Sequence, residues 1–320
     1  MTRWITVSER IAIWGLAAGV LVTAAGFLQA VPWWIEVFAH FHWQYALGSA
    51  LLTVFFLFRR HARAAVIAGL VLLLNLYPVA DAHFAGSPGA VAAARLGGQL
   101  KLMSFNLWYR NSKYGAVKDY IIRSEADLVF LTEVTNPWLD ALSSLETIYP
   151  YRFHTADKGL FEGHRSGIMV LSNRPLIEPR AYFDPTSGHA FAQVVRVDDD
   201  NAPWTLFGVH LQKPLFEEAA LQERQLSELG RVVRETEGPI AIAGDFNATP
   251  YSPKFRAFVS ATGVNRAAGG FNASWPSLVR PLGIPIDHVL TGRGMRARTT
   301  IGSHIGSDHR PMHTVIEWDG

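Results

Sequence analysis

The sequence predicts an α/β sandwich behind an N-terminal region of membrane-spanning helices. Two observations carry this expectation. Three runs without a charged residue crowd into positions 1 to 80, and from position 99 onward short apolar strands alternate with amphipathic helices. The composition agrees, because 49% of the 320 residues are hydrophobic and only 18% are charged, an apolar excess that points to a segment richer than a soluble globule.

The first run, Ile11 to Ile35, exceeds the roughly 20 helical residues that a bilayer core requires, and also the roughly 7 to 15 residues of a secretory signal core. Trp43 to Phe58 and Ala64 to Ala80, at 16 and 17 residues, stand at the lower limit for a span and leave a buried or interfacial hairpin as the alternative. Orientation follows from the arginines. Arg3 and Arg10 precede the first run, the connection around Glu36, His40 and His42 has no Lys or Arg, and Arg59, Arg60 and Arg63 fill the second connection. Short basic loops stay cytoplasmic, so the amino terminus is expected inside and everything after Tyr77-Pro78 outside. The expected location is the cytoplasmic (inner) membrane, multi-pass, with residues 1–80 as anchor and the C-terminal domain extracytoplasmic.

Residues 81–98, Ala/Gly-rich around Ser87-Pro88-Gly89, read as a linker, and the domain occupies 99–320. Strand character marks Leu100 to Leu107, Leu128 to Leu131, Gly167 to Leu171, Phe191 to Val197, Trp204 to His210, Ile240 to Ala243, Ile286 to Leu290 and Met312 to Trp318. Between them Val117 to Ile122, Pro137 to Leu145 and Glu217 to Val233 read as helices, the last with an apolar stripe through Leu221, Leu226, Leu229, Val232 and Val233. Some 220 residues, roughly, bury a substantial core.

Whole classes of chemistry drop out. The chain has no cysteine, which excludes disulfide frameworks, zinc thiolates, iron–sulfur clusters and a catalytic thiol. Beyond residue 97 there are 23 basic against 24 acidic residues, so the domain carries no basic field of the kind that holds long nucleic acid by counterion release.

Polar residues gather at the ends of the apolar strands, where loops on a rigid sheet present catalytic groups. The clusters are Ser104-Phe105-Asn106-Leu107-Trp108, Leu131-Thr132-Glu133-Val134, Gly208-Val209-His210-Leu211-Gln212, Ala243-Gly244-Asp245-Phe246-Asn247-Ala248-Thr249-Pro250, and Ile286-Asp287-His288 together with Gly306-Ser307-Asp308-His309-Arg310-Pro311. Singly, each has an ordinary structural explanation. Glu133 suits a helix N-terminus, Asp245 and Asn247 suit turns, and His210 and His309 suit buried hydrogen-bonded positions.

Together, in this order and spacing over residues 99 to 320, they resemble the endonuclease/exonuclease/phosphatase superfamily, which includes pancreatic-type deoxyribonucleases, apurinic endonucleases, bacterial sphingomyelinases and inositol-polyphosphate phosphatases. The resemblance implies a four-layer α/β sandwich, two mixed β-sheets flanked by helices, and divalent-metal-dependent hydrolysis of phosphodiesters. It implies Glu133 as the central metal ligand with Asn106 beside it and Asp308 completing or bordering the site. Oxygen ligands favour Mg2+ or Mn2+, with Ca2+ also compatible. It further implies Asp287 and His309 as a carboxylate–imidazole pair, Asp245 and His309 jointly as activators of water, and Asn247 as a phosphate or oxyanion ligand. His210 matches the histidine of the deoxyribonuclease and sphingomyelinase members, as proton donor to the leaving oxygen or as phosphate ligand. Arg110 and Asn111 are further candidate phosphate contacts. His288 points to the opposite face of its strand and is expected to be structural. The substrate readings are nucleic acid first and lipid headgroup second. A non-catalytic membrane scaffold is the third reading, and the presence of all eight polar side chains counts against it. The expected partners are the phosphodiester and the membrane, with no protein partner indicated.

Overall fold

The computed structural model describes residues 6–84, 96–157, 167–198, 203–267 and 269–319. The chain divides into two units, Met1–His83 with Tyr251–Pro253, and Phe84–Pro250 with Lys254–Gly320.

In the first unit, helix α1 (Val7–Gly26) opens with a capping box. Thr6 Oγ1 accepts from the Glu9 N–H, and the Glu9 carboxylate accepts from the Thr6 N–H at 2.7 Å, which satisfies donors that a helix start otherwise leaves open. A short α2 (Trp33–Glu36) passes through a 3-10 turn into α3 (His42–Phe58), and α4 (Ala62–Phe84) follows. Three helical stretches, Val7–Gly26, Trp33–Phe58 and Ala62–Phe84, are long and apolar enough to cross a membrane. The second and third outlast the uncharged runs that announce them, because helix continues through Glu36 and Asp81. Their polar side chains pair with one another. Glu9 accepts from Arg59 and His61 at 3.0 and 2.8 Å, and Asn75 donates to Thr23 Oγ1 at 2.8 Å while its Oδ1 meets His42 Nδ1 at 2.7 Å. Of the expected linker, 81–84 belong to α4, 96–98 open the first strand, and 85–95 lie outside the described residues.

The second unit contains β1 (Leu96–Asn106), α5 (Tyr114–Ser124), β2 (Leu128–Thr132), α6 (Asn136–Leu142), β3 (Tyr151–Ala156), β4 (Gly167–Ser172), β5 (Leu176–Phe183) and β6 (Ala190–Val197). It continues with β7 (Trp204–His210), α7 (Glu218–Glu235), β8 (Ile240–Asp245), α8 (Pro253–Thr262), β9 (Asn265–Arg266), β10 (Asp287–Thr291), β11 (Met295–Ile301) and β12 (Met312–Asp319). They form two six-stranded mixed sheets, ordered β11-β12-β1-β2-β4-β3 and β5-β6-β7-β8-β10-β9, in which β1/β2 and β7/β8 are the parallel pairs.

Strand side chains alternate between faces, and here both faces are covered. Leu100, Leu102, Leu128 and Phe130 of the first sheet meet Leu206, Ala241, Ala243 and Val289 of the second in one core. Met103, Phe105, Val129 and Leu131 point the other way, onto Val117, Ile121, Trp138 and Leu142 of α5 and α6. Phe207, Val209 and Ile242 pack on Leu226, Leu229, Phe255 and Phe258 of α7 and α8. Burial on both sides explains why the central strands read as unbroken apolar runs, and the result is a four-layer α/β sandwich. Between the sheets Phe130 lies over Gly208 and Gly244, where an added Cβ at either position would overlap its ring. That close approach accounts for the glycine in Gly208-Val209-His210, whereas at Gly244-Asp245 the nearer Val209 carbonyl and a φ of 141° also require glycine.

Candidate active site

The alternation that builds the inter-sheet core also aims the polar groups. Two residues beyond Ser104 on the same face of β1 comes Asn106. Two beyond Gly208 on β7 comes His210, two beyond Ala243 on β8 comes Asp245, and two before Val289 on β10 comes Asp287. In the second sheet these line up in register, His210 opposite Asp245 and Asp245 opposite Asp287, while Asn106 stands opposite Thr132 in the first. His288, of opposite parity, packs on Phe246 and Phe255 with Nε2 2.8 Å from the Ala248 carbonyl, on the helix-covered side of its sheet.

A continuous polar chain crosses the site. The Asn106 amide donates to Glu133 Oε1 and to Asp245 Oδ2, each at 3.1 Å. Asp245 Oδ2 lies 3.7 Å from His309 Nε2, and His309 Nδ1 is 2.8 Å from Asp287 Oδ2. Ser307 pins the loop between β11 and β12 to the end of β1, its hydroxyl donating to the Asn106 carbonyl at 2.7 Å and accepting from the His309 N–H at 3.0 Å. The donor atoms of Asp245, Asp287 and His309 all lie within 4.8 Å of one another.

Three residues at the site take a left-handed backbone. Trp108, Glu133 and Asn247 hold φ values of 60°, 56° and 49°, a left-handed region that non-glycine residues occupy only where the surroundings enforce it. At Glu133 this backbone turns the carboxylate back so that Oε2 accepts the Tyr109 N–H at 2.9 Å. At Asn247 the N–H binds Asp245 Oδ1 and the amide donates to the Leu211 carbonyl, each at 2.8 Å.

The electrostatics follow from burial and neighbours. Burial, then the negative charge of Asp287, pushes the Asp245 carboxyl up to about 7. Burial lowers the His309 imidazole, but Asp287 and Asp245 outweigh it and carry it well above its ordinary value, so it stands as an imidazolium. Burial and then the charge of His189 push His210 down to about 3, which leaves it neutral, with Nε2 4.0 Å from Glu133 Oε1.

Two carboxylates lack full compensation. Among the described residues Glu133 has amide donors and the neutral His210 nearby but no Lys or Arg in ion-pair range. Asp308 Oδ2 accepts the Trp275 indole N–H at 3.2 Å, while its Oδ1 is buried and has no hydrogen-bond partner among the described residues. Oxygen donors with unneutralised charge fit a hard divalent cation.

The remaining candidates stand apart from this chain. The Arg110 side chain is exposed, its guanidinium 5.2 Å from the Tyr109 ring centroid. Asn111 is buried beside Gly306, accepts the Lys113 N–H at 3.0 Å and has no hydrogen-bond partner for Nδ2 among the described residues. Trp275, Ser307 and His189 were not expected from the sequence. Only Ser307, inside the Ser-Asp-His block, carried a signal there.

The chain matches the Endonuclease/Exonuclease/phosphatase family over residues 103–309. No curated protein matches it. Among solved structures it resembles the endonuclease/exonuclease/phosphatase from Bacteroides vulgatus at 16% identity and a TM-score of 0.58, over 69% of this chain and 99% of that one. A truncated Caenorhabditis elegans TDP2 aligns at 16% identity and a TM-score of 0.55, over 70% and 99%. A Staphylococcus aureus beta toxin mutant with bound magnesium ions aligns at 16% identity and a TM-score of 0.52, over 70% and 100%.

Proposed function

The chain belongs to the Endonuclease/Exonuclease/phosphatase family, and on that premise we propose that it is a divalent-metal-dependent phosphodiesterase tethered to a membrane by its N-terminal helices. The observation that carries the reading is the unbroken polar chain Glu133–Asn106–Asp245–His309–Asp287, drawn from both sheets to one rim.

Phosphodiesters are anionic and hydrolyse very slowly, so a catalyst must neutralise phosphate oxygens, deprotonate water and stabilise the departing oxygen. Glu133, with Asn106 and Asp308, is suited to hold Mg2+ or Mn2+, an assignment supported by the orphaned Asp308 oxygen and by the magnesium ions in the Staphylococcus aureus beta toxin mutant. Such an ion supplies charge neutralisation at the phosphate oxygens. Asp245, with its carboxyl raised toward neutrality, accepts the proton of the attacking water. His309, kept cationic by Asp287, donates a charged hydrogen bond to a phosphate oxygen. Asn247, whose amide gives one hydrogen to the Leu211 carbonyl, offers its second to the phosphate or the developing oxyanion. His210, neutral in the resting site, hydrogen-bonds a phosphate or leaving oxygen. Arg110 and Asn111 are outer phosphate contacts in this reading.

Nucleic acid is the first substrate class. A lipid headgroup phosphodiester is the second, favoured by the three helices able to cross a bilayer. The arginine distribution supports an inner-membrane, multi-pass protein with an extracytoplasmic site. The full chain in detergent micelles is expected to hydrolyse bis-p-nitrophenyl phosphate with Mg2+ or Mn2+ and to lose activity with EDTA. Glu133→Gln is expected to lower kcat by about 10³-fold, equivalent to roughly 4 kcal/mol of transition-state stabilisation. Plasmid DNA, RNA and phospholipid vesicles then separate the substrate classes. A wild type inactive on all of them would favour the scaffold reading.

A further inference from the structure

His210 reaches the site from the last position of β7, and nothing in the polar chain of the two sheets holds that strand end from the other side. The group that does so stands outside that polar chain. His189, in the loop before β6, places Nε2 2.7 Å from the His210 main-chain carbonyl, and its ring meets the His210 ring edge-on at a centroid distance of 5.1 Å. Its other nitrogen, Nδ1, lies 3.2 Å from Asp157 Oδ1. Asp157 is fixed in turn, because the same oxygen accepts the Ala190 N–H at 2.8 Å. The His189 N–H binds Ser187 Oγ and its carbonyl accepts the Asp184 N–H at 2.9 Å, so the loop cannot swing freely.

The proton inventory of His189 is decided by its partners. A carbonyl oxygen only accepts, so Nε2 carries a hydrogen. The Asp157 oxygen already accepts a backbone N–H, so it presents lone pairs to Nδ1, which therefore carries the second hydrogen. His189 is an imidazolium only 11% exposed, with the carboxylates of Asp157 and Asp184 as its counter-charges and His210 as the titratable neighbour it touches.

We propose that Asp157 and His189 are a positioning pair for His210. The cationic His189, clamped by Asp157, fixes the carbonyl at the end of β7 and aims the His210 ring toward Glu133. This rests on the phosphodiesterase reading for its kinetic consequence, though not for the protonation of His189.

Two measurements on the full chain in micelles test it. In steady-state hydrolysis of bis-p-nitrophenyl phosphate, His189→Gln is expected to lower kcat about 10- to 100-fold with little change in KM, the usual cost of losing an orienting partner. In a His210→Ala background the same substitution is expected to change kcat by less than about 3-fold, because the group it orients is gone. Equal losses in both backgrounds would mean that His189 merely supports the fold, and an unchanged kcat in the wild-type background would overturn the proposal outright. Asp157→Asn repeats the cycle should His189→Gln fail to fold, with thermal unfolding as the check. The second measurement needs no turnover. Ring-nitrogen NMR at pH 7, assigned through His189→Gln, is expected to show both His189 nitrogens protonated and to show a neutral ring in Asp157→Asn. A neutral His189 in the wild type sinks the pairing even in an active enzyme, whereas a doubly protonated His189 in an inactive wild type supports the clamp and shifts the failure to the phosphodiesterase reading.

Discussion

Asp245 and Asp287 oppose each other directly across β8 and β10, two buried carboxylates on one face of one sheet, with the His309 imidazole 3.7 and 2.8 Å from them. Two like charges in such a place are sustained by the cation that shares it. In the proposed mechanism the pair works as a unit with His309, in which Asp287 fixes the ring at 2.8 Å and Asp245 takes the proton of the attacking water.

Asp287→Asn tests that division of labour. The amide retains the shape but offers no charge to hold His309 protonated. We expect kcat for bis-p-nitrophenyl phosphate to fall by roughly 10³-fold or more with KM nearly unchanged, as for the aspartate of an Asp–His pair elsewhere. A loss below about tenfold in steady-state kinetics would remove Asp287 from the mechanism.

Gly208→Ala probes the packing that brings the sheets together. A Cβ at Gly208 would overlap the Phe130 ring, so the substitution is expected to cost about 1–3 kcal/mol in denaturant unfolding. In a Phe130→Ala background most of that penalty should disappear, since the ring it strikes is gone. Additive penalties would show that the ring does not set the limit.

His288 predicts a pH dependence of stability. Burial, then the charge of Arg266, holds its imidazole down to about 3 in the folded chain, whereas an unfolded histidine titrates near pH 6.5. Between these values the unfolded state binds the extra proton, so stability is full above pH ~6.5 and falls as the pH drops toward 3, by up to about 1.4 kcal/mol per pH unit. His288→Gln, able to donate to the Ala248 carbonyl, should flatten this limb. An unaltered slope between pH 4 and 6 in unfolding experiments would count against it.

The arginine distribution predicts topology. An alkaline phosphatase fused after residue 320 should be active, and a green fluorescent protein exported by the same route should be dark. The reverse pattern places the catalytic domain in the cytoplasm.

How much was legible in the sequence depended on how locally each feature is encoded. The eight strands marked by apolar runs are all present, and their ends carry the polar residues assigned to the site. The strands passed over, β3, β5, β9 and β11, are the four sheet edges. An edge buries little and is protected by charges and proline, as in Leu176–Phe183 with Glu178, Pro179 and Arg180, or Met295–Ile301 with Arg296 and Arg298. Helix α8 also escaped notice.

The sequence by itself determined the layers and the inventory: which strands are buried on both faces, which stretches are apolar enough for a membrane, and which polar groups stand at strand ends. Those follow from periodicity, a property of neighbours along the chain. Only the tertiary structure decided that His210, Asp245 and Asp287 share one row, that Asn106 bridges Glu133 to Asp245, and that His189 and Asp157 stand behind His210. Register and inter-sheet distance arise from side chains meeting across the fold, such as Phe130 over Gly208 and Gly244, and no local pattern records them.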